Sequence, residues 1–153
     1  MKKAAALLIG LGMLSLTAHA DSHHDLNKVL DEVIHSASQM ETDARHVSSH
    51  LKSKETDAQF VKDKIQALSA DMDRLDAAMS HLAGKKDSMK DWQKKDYEIL
   101  KTKVQLVQRF YDFKKELAWA DDLKKNRSSL RAHADGLAQR AALVRSTASK
   151  LQN

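Results

Sequence analysis

Apolar residues between Leu26 and Leu82 recur in alternating steps of four and three. A seven-residue repeat of this kind is typical of helices that bury one narrow stripe against another helix. The repeat lapses after Leu51 and resumes in the same phase at Ala58. Its positions are Leu26, Leu30, Val33 with Ile34, Ala37, Met40, Ala44, Val47 and Leu51, then Ala58, Val61, Ile65, Leu68, Met72, Leu75, Met79 and Leu82. We interpret the three methionines as core side chains rather than as ligands.

Two more apolar stripes follow Gly84, and both have helical spacing. Six of the seven aromatic residues lie between Trp92 and Trp119, so we expect the third helix to supply the bulky side of the core. The stripe of the third helix is Trp92, Ile99, Leu106, Phe110, Phe113, Leu117 and Ala120. The stripe of the last helix is Leu130, Ala134, Leu137, Ala141, Val144, Ala148 and Leu151. Proline is absent, and no segment alternates like a strand, so the fold class is all-α.

Two architectures fit this pattern. Capping signals predict an antiparallel four-helix bundle, in which Thr56 opens the second helix, Gly84 ends it in a left-handed turn, Ser88 caps the third helix and Ser128 the fourth. The predicted helices span 23–53, 57–83, 89–124 and 128–152. The unbroken heptad phase instead favours a long two-helix antiparallel hairpin, or coiled coil, that turns at Gly84, with arms of roughly 90 Å at 1.5 Å per residue. We favour the bundle, because it buries more apolar surface per residue in a single chain.

The first twenty residues have the organisation of a secretory signal peptide. Lys2 and Lys3 precede a short apolar stretch, and Ala18-His19-Ala20 is a small-x-small cleavage pattern. We therefore predict a signal peptide over 1–20, a single helical domain over 21–153, and a periplasmic or secreted location of the Gram-negative type. No later apolar run is long enough to cross a membrane, and the absence of cysteine excludes disulfides and thiol chemistry.

Charge is divided unevenly along the predicted mature chain. Residues 21–83 contain seven basic and twelve acidic residues, a net charge of −5, whereas 84–153 contain seventeen basic and nine acidic residues, a net charge of +8. The two halves can pack on each other with complementary charge, within one chain or in a homodimer. A surface for an anionic partner is the alternative explanation.

The predicted mature amino terminus, Asp21-Ser22-His23, has the composition of a copper- and nickel-binding motif. A free amine, two amide nitrogens and the imidazole of a third residue form the square-planar nitrogen set that Cu(II) and Ni(II) prefer. These three residues resemble the amino-terminal motif of some secreted proteins. Metal binding there would compete with helix formation, because both use the same amide groups.

Histidines also form a stripe along the first predicted helix, away from its apolar seam. His24, His35 and His46 are eleven residues apart, which is too far for one ion. The best pair is His46 and His50, one turn apart, and it could bind Zn(II) or Cu(II) with Asp43 as a third ligand. Asp31 and His35 make a poorer pair. The simpler interpretation is a solvated helix face that contains histidine.

Enzyme and nucleic-acid functions lack supporting motifs. The chain has no glycine-rich phosphate loop, no serine elbow and no histidine paired with a plausible nucleophile in a recognisable motif. The lysines of the third helix alternate with acidic residues, which is typical of a solvated face, although contact with anionic lipid, lipopolysaccharide or peptidoglycan stays open. The chain is similar in size, predicted compartment and class to stress-induced periplasmic chaperones of the Spy and CpxP type, but it lacks their Leu-Thr-x-x-Gln repeats.

We therefore expect an exported, non-catalytic helical protein that acts by binding a protein partner or an envelope component. The alternative is a periplasmic protein that binds Cu(II), Ni(II) or Zn(II) through Asp21, Ser22, His23, His46 and His50.

Overall fold

The computed structural model describes residues 14–152, with side chains from Asp25 onward. Five helices and one short 3-10 turn account for most of this range. They are α1 (Leu14–His50), α2 (Ala58–Ala83), the 3-10 turn Lys86–Ser88, α3 (Asp91–Phe110), α4 (Phe113–Asp121) and α5 (Leu123–Leu151). None of these helices is both long enough and apolar enough to span a bilayer.

The helices form an antiparallel four-helix bundle, as predicted. Helix α1 packs on α2 and on α5, while α3 packs on α5 and α4 packs on both α5 and α2. Helices α3 and α4 follow each other along the third position of the bundle. The alternative of a long two-helix hairpin is wrong, because the chain leaves helical geometry between His50 and Ala58.

The α1–α2 turn is stabilised by polar groups that compete with helix continuation. Asp57 caps α2, because its carboxylate accepts the amide N–H of Gln59 at 2.8 Å. The His50 ring accepts the amide N–H of Asp57 at 3.1 Å through Nε2. Thr56, the predicted cap, instead donates its hydroxyl to the carbonyl of Ser53 at 2.9 Å. The heptad phase thus continues across a real break in the helix.

The α2–α3 turn differs from its predicted geometry. Gly84 has φ of −65°, so the expected left-handed cap is wrong, and the chain continues through right-handed geometry into the 3-10 turn. Helix α3 begins after Lys90 rather than at Ser88, and the amide N–H of Lys90 donates to the Gln93 side chain at 3.0 Å. A right-handed exit satisfies the Gly84 amide through the carbonyls of Ser80 and Leu82, so no positive φ is required.

The single third helix predicted over 89–124 is interrupted at Tyr111 and Asp112. Asp112 caps α4 by accepting the amide N–H of Lys115 at 3.0 Å, and Asp122 caps α5 by accepting that of Lys125 at 3.3 Å. Aspartate favours the cap position because its short carboxylate reaches the first unpaired amides. The predicted turn at 124–128 is therefore wrong, and the last helix begins at Leu123.

The core follows the predicted seams in three of the four positions of the bundle. In the first helix every position of the repeat except Ile34 is buried, in the last helix every position is buried, and in α2 only Ala58 and Met79 are more accessible. The prediction fails in α3, where Trp92, Ile99 and Leu106 are 41%, 50% and 45% exposed. The buried positions of α3 are Gln93, Tyr97, Leu100, Val104 and Val107.

The polar side chain of Gln93 explains why the sequence predicted the wrong buried face of α3. The face that is buried begins with this polar residue, whereas the neighbouring face begins with the large apolar residue Trp92, so the periodicity favoured the face of Trp92. Burial of the amide is tolerated because its oxygen accepts the Lys90 amide N–H and its nitrogen donates to the Leu151 carbonyl at 3.1 Å. Gln93 thereby joins the start of α3 to the end of α5.

Gly136 permits the close packing of Phe110 on α5, which leads to a first prediction. A Cβ at this position would lie 2.7 Å from Cζ of Phe110. We expect Gly136→Ala to destabilise the native chain, because overpacking costs about 1–3 kcal/mol. In a Phe110→Leu background the same change should be stabilising, by up to about 1 kcal/mol of helix propensity.

Urea unfolding followed by circular dichroism measures the four free energies of this cycle. An effect of Gly136→Ala with the same sign in both backgrounds would contradict the packing explanation.

Candidate binding surfaces

The predicted amino-terminal metal motif lies within α1, but its side chains are outside the described residues. The backbone of Asp21, Ser22 and His23 is part of the helix Leu14–His50. The predicted signal peptide over 1–20 also falls largely outside the described range. Both proposals therefore stay predictions from the sequence.

His46 and His50 lie one turn apart near the end of α1, and each already has a neighbour. His46 is exposed, with Nδ1 3.7 Å from the Asp43 carboxylate, which also forms a 2.8 Å ion pair with Lys64. The Nε2 of His50 accepts the Asp57 amide, and its ring lies 4.3 Å from that of Phe60. From Asp25 to Gln152, no three histidine or carboxylate side chains are grouped closely enough to bind a metal ion.

A buried acid–base pair lies where the third helix is interrupted, and the sequence did not reveal it. Oε1 of Glu116 on α4 is 3.0 Å from Nε2 of His133 on α5, and the two side chains are only 3% and 11% exposed. Sequence spacing placed His133 off the apolar stripe of its helix. The signal that could have located the pair is the aromatic cluster on either side of the break.

Aromatic rings enclose this pair. The ring of Phe110 stacks on His133 with 4.3 Å between centroids and 10° between planes, and Trp119 meets His133 edge-on at 5.6 Å. The Arg140 guanidinium covers the other side of Phe110 at 3.8 Å. Burial raises the pKa of the neighbouring Tyr111 phenol far above its usual range, and the Glu116 carboxylate adds to this rise. The cluster is thus a closed part of the core, with polar groups sealed beneath aromatic rings.

A second buried carboxylate lies between α1 and α2. Asp71 is 2% exposed, and its Oδ1 accepts a 3.0 Å hydrogen bond from the Arg74 guanidinium. Its Oδ2 is buried and has no hydrogen-bond partner within the described range. Burial raises the pKa of Asp71, and the negative charge of Asp43 raises it further, while Arg74 opposes the shift.

The exposed apolar residues of α3 form a stripe along the outside of the bundle. Trp92, Ile99 and Leu106 are seven residues apart, so they lie on one line about 10.5 Å apart at the rise of an α-helix. Lys95, Thr102 and Arg109 are the exposed residues that follow each of them by three. We refer to Trp92, Ile99 and Leu106 as the α3 stripe.

An open cavity of about 260 Å³ lies at the end of the bundle where α1 stops and α5 begins. Its lining contains four basic side chains and no carboxylate. The lining residues are Leu51, Lys124, Lys125, Arg127, Ser128 and Arg131. We refer to this feature as the basic cavity.

Comparison of the chain with protein-family models, curated proteins and solved structures found no match.

The buried pair gives a second prediction. His133→Phe keeps a ring against Phe110 but leaves the Glu116 carboxylate buried without its partner, which should cost about 3–5 kcal/mol in the free energy of unfolding. Adding Glu116→Leu should recover most of that loss, because an apolar side chain has no charge to desolvate. Chemical denaturation at neutral pH measures both variants.

The control is His81→Ala, which removes a surface pair. His81 lies 3.4 Å from Glu32, with side chains 66% and 45% exposed, so its loss should cost less than about 1 kcal/mol. Similar losses for His81→Ala and His133→Phe would contradict the role assigned to the buried pair.

Asp71 gives a third prediction, in the pH dependence of stability. An acid whose pKa is higher in the folded than in the unfolded chain destabilises the fold above its ordinary pKa, and the cost fades as pH falls through the folded pKa. Asp71→Asn should therefore raise the thermal midpoint at neutral pH, and the difference should shrink toward about pH 4. Thermal unfolding across this pH range tests the expectation. Asp73→Asn, at an exposed position of the same helix, should show no such pH-dependent gain.

Proposed function

We propose that this chain is an exported, non-catalytic protein that acts by binding a helix of a protein partner through the α3 stripe. The observation that carries the proposal is the exposure of Trp92, Ile99 and Leu106, at 41–50%, on a bundle whose other seams are buried. Single exposed apolar residues are ordinary on protein surfaces, but three large ones in register on one helix are characteristic of an interaction site.

The spacing of the stripe indicates what kind of partner fits it. Side chains seven residues apart lie along one line of the helix, against which a second helix can pack. Lys95 and Arg109 add exposed positive charge beside the stripe, so an amphipathic helix with acidic flanking residues would complement it. Trp92 is the side chain best suited to anchor such a contact, because aromatic residues dominate binding energy at interfaces.

The described surfaces also support a binding rather than a catalytic role. The pair most like an acid–base couple, Glu116 and His133, is enclosed by Phe110 and Trp119 rather than open to a substrate. A general acid or base must reach the proton that it transfers, and these groups cannot do so without opening the core. Export follows from the signal-peptide pattern and is part of the proposal.

A photo-crosslinking amino acid at Ile99, in a chain expressed with its own leader, tests this proposal. We expect one defined protein adduct whose crosslinked segment is an amphipathic helix. Trp92→Gln with Leu106→Gln should remove that adduct. Each side chain buries roughly half of its surface on binding, about 1 kcal/mol apiece, so losing two should weaken binding more than tenfold.

A matched control lies on the opposite exposed side of the same helix. Lys101→Gln with Gln105→Ser changes two side chains that face α2 rather than the stripe, so the adduct should persist. Sedimentation of the purified protein tests the alternative that the stripe forms a homodimer. A dimer that Trp92→Gln dissociates would show that the stripe joins two copies of this chain, and the proposal of a separate partner would be wrong.

A further inference from the structure

The basic cavity concentrates positive charge that the fold itself does not use. Lys124, Lys125 and Arg131 line it without forming an ion pair to any described residue. The nearest carboxylates in sequence form no ion pair with these three side chains. Asp121 pairs with Lys62 at 2.6 Å, and Asp122 caps the first turn of α5.

The position of these lysines is unfavourable for the isolated helix. Lys124 and Lys125 lie in the first turn of α5, where the helix dipole is positive and favours anions over cations. Repulsion among neighbouring cations adds to that cost. The Asp122 carboxylate already lies at the positive end of this helix, so a bound anion would act by reducing the repulsion among the neighbouring cations.

One wall of the cavity is held in place by Arg127. Its guanidinium donates to the carbonyl of Ser53 and, at 3.5 Å, to that of Lys54, so α5 is tied to the α1–α2 turn. Arg127 is therefore a positioning residue for the site. The buried side chain of Leu51 lies beneath the cavity, and Ser128 is a further lining residue.

We propose that the basic cavity binds a phosphate-bearing anion. Lysine and arginine donors on the first turns of α5 suit the oxygens of a phosphate group, and the Arg131 guanidinium can bind two oxygens at once. A volume of about 260 Å³ is below that of typical drug-sized pockets, which start at about 300 Å³, so the site fits a small phosphorylated group.

This inference goes beyond the proposed partner binding and does not depend on the α3 stripe. The same chemistry occurs in soluble phosphate compounds and in the headgroups of anionic lipids. Inorganic pyrophosphate represents the first source. Vesicles of phosphatidylcholine with and without phosphatidylglycerol represent the second.

The experiment is isothermal titration of the purified protein with pyrophosphate, together with vesicle cosedimentation. We expect saturable binding of at least one probe, weakened at least tenfold in Lys124→Gln/Arg131→Gln. Loss of one charge-assisted hydrogen bond should weaken binding about tenfold, which corresponds to about 1.4 kcal/mol. Lys114→Gln/Lys150→Gln, which removes the same charge from exposed positions on α4 and α5 outside the cavity, should bind as the native chain does.

The outcomes separate the sources and the alternatives. Binding to phosphatidylglycerol vesicles that pyrophosphate displaces would identify a lipid headgroup site, whereas pyrophosphate binding without vesicle binding would identify a soluble phosphate compound. Equal weakening in both double variants would show general attraction to a basic protein and overturn the proposal. Absence of binding to either probe would also overturn it. A Trp92→Gln/Leu106→Gln chain should retain phosphate binding, so the two proposals fail independently.

Discussion

The architecture depends on the burial of one unbroken apolar seam along α1. Its large side chains, among them Leu26, Leu30 and Met40, are almost completely inaccessible to solvent, and two helices are needed to cover them. Four of the nine buried residues of α5 are alanines, which lets its backbone lie close to α1, while α2 supplies the larger Ile65, Leu68 and Leu75. The rest of the bundle closes over this central layer. Charge reinforces it, because Glu41 of α1 binds Arg45 and Arg145, which lower the pKa of its carboxyl against the opposing effect of burial.

The third position of the bundle, formed by α3 and α4, is packed differently from the other three. Here the helix is interrupted, the core is aromatic and polar, and the buried carboxylate of Glu116 has a histidine partner rather than solvent. Phe110 reaches into α5 only because Gly136 has no side chain. In such a region the pairing of buried polar groups favours one arrangement of side chains. Removing one member of a pair costs more stability than at the surface, because its partner stays buried without a compensating contact. The α3 stripe begins on the outer face of this same, less regular layer.

Much of the fold could be predicted from the sequence because it depends on periodicity. The repeats from Leu26 to Leu82 and from Leu130 to Leu151 name the buried faces correctly, and a helix stripe is a local property of the chain. The ends of the helices were harder to predict. Asp112 caps α4 and Asp122 caps α5, but several polar residues near each of them could also have formed the cap.

The errors at the sites have a common physical origin. Gln93 is buried because Lys90 and Leu151 satisfy its amide, and Glu116 is buried because His133 meets it across two helices. Neither partnership is visible in the periodicity of a single helix. For the same reason the basic cavity escaped prediction, because Leu51 lies more than seventy positions before Lys124. The amino-terminal metal motif at Asp21, Ser22 and His23 depends on cleavage chemistry and stays a prediction.

The pairing of the first and last long helices has a consequence for how the chain acquires its structure. Arg145 bonds to Glu41 across 104 residues, and Gln152 bonds to Asn27 across 125. Helical bundles usually fold through contacts that are close in sequence, but here the first seam is only half covered until the final helix is available. A chain emerging from its amino terminus would therefore expose one flank of α1 for nearly its whole length. The core can be completed only when the last thirty or so residues are available. Docking of the carboxyl-terminal helix is therefore the step that completes the native structure.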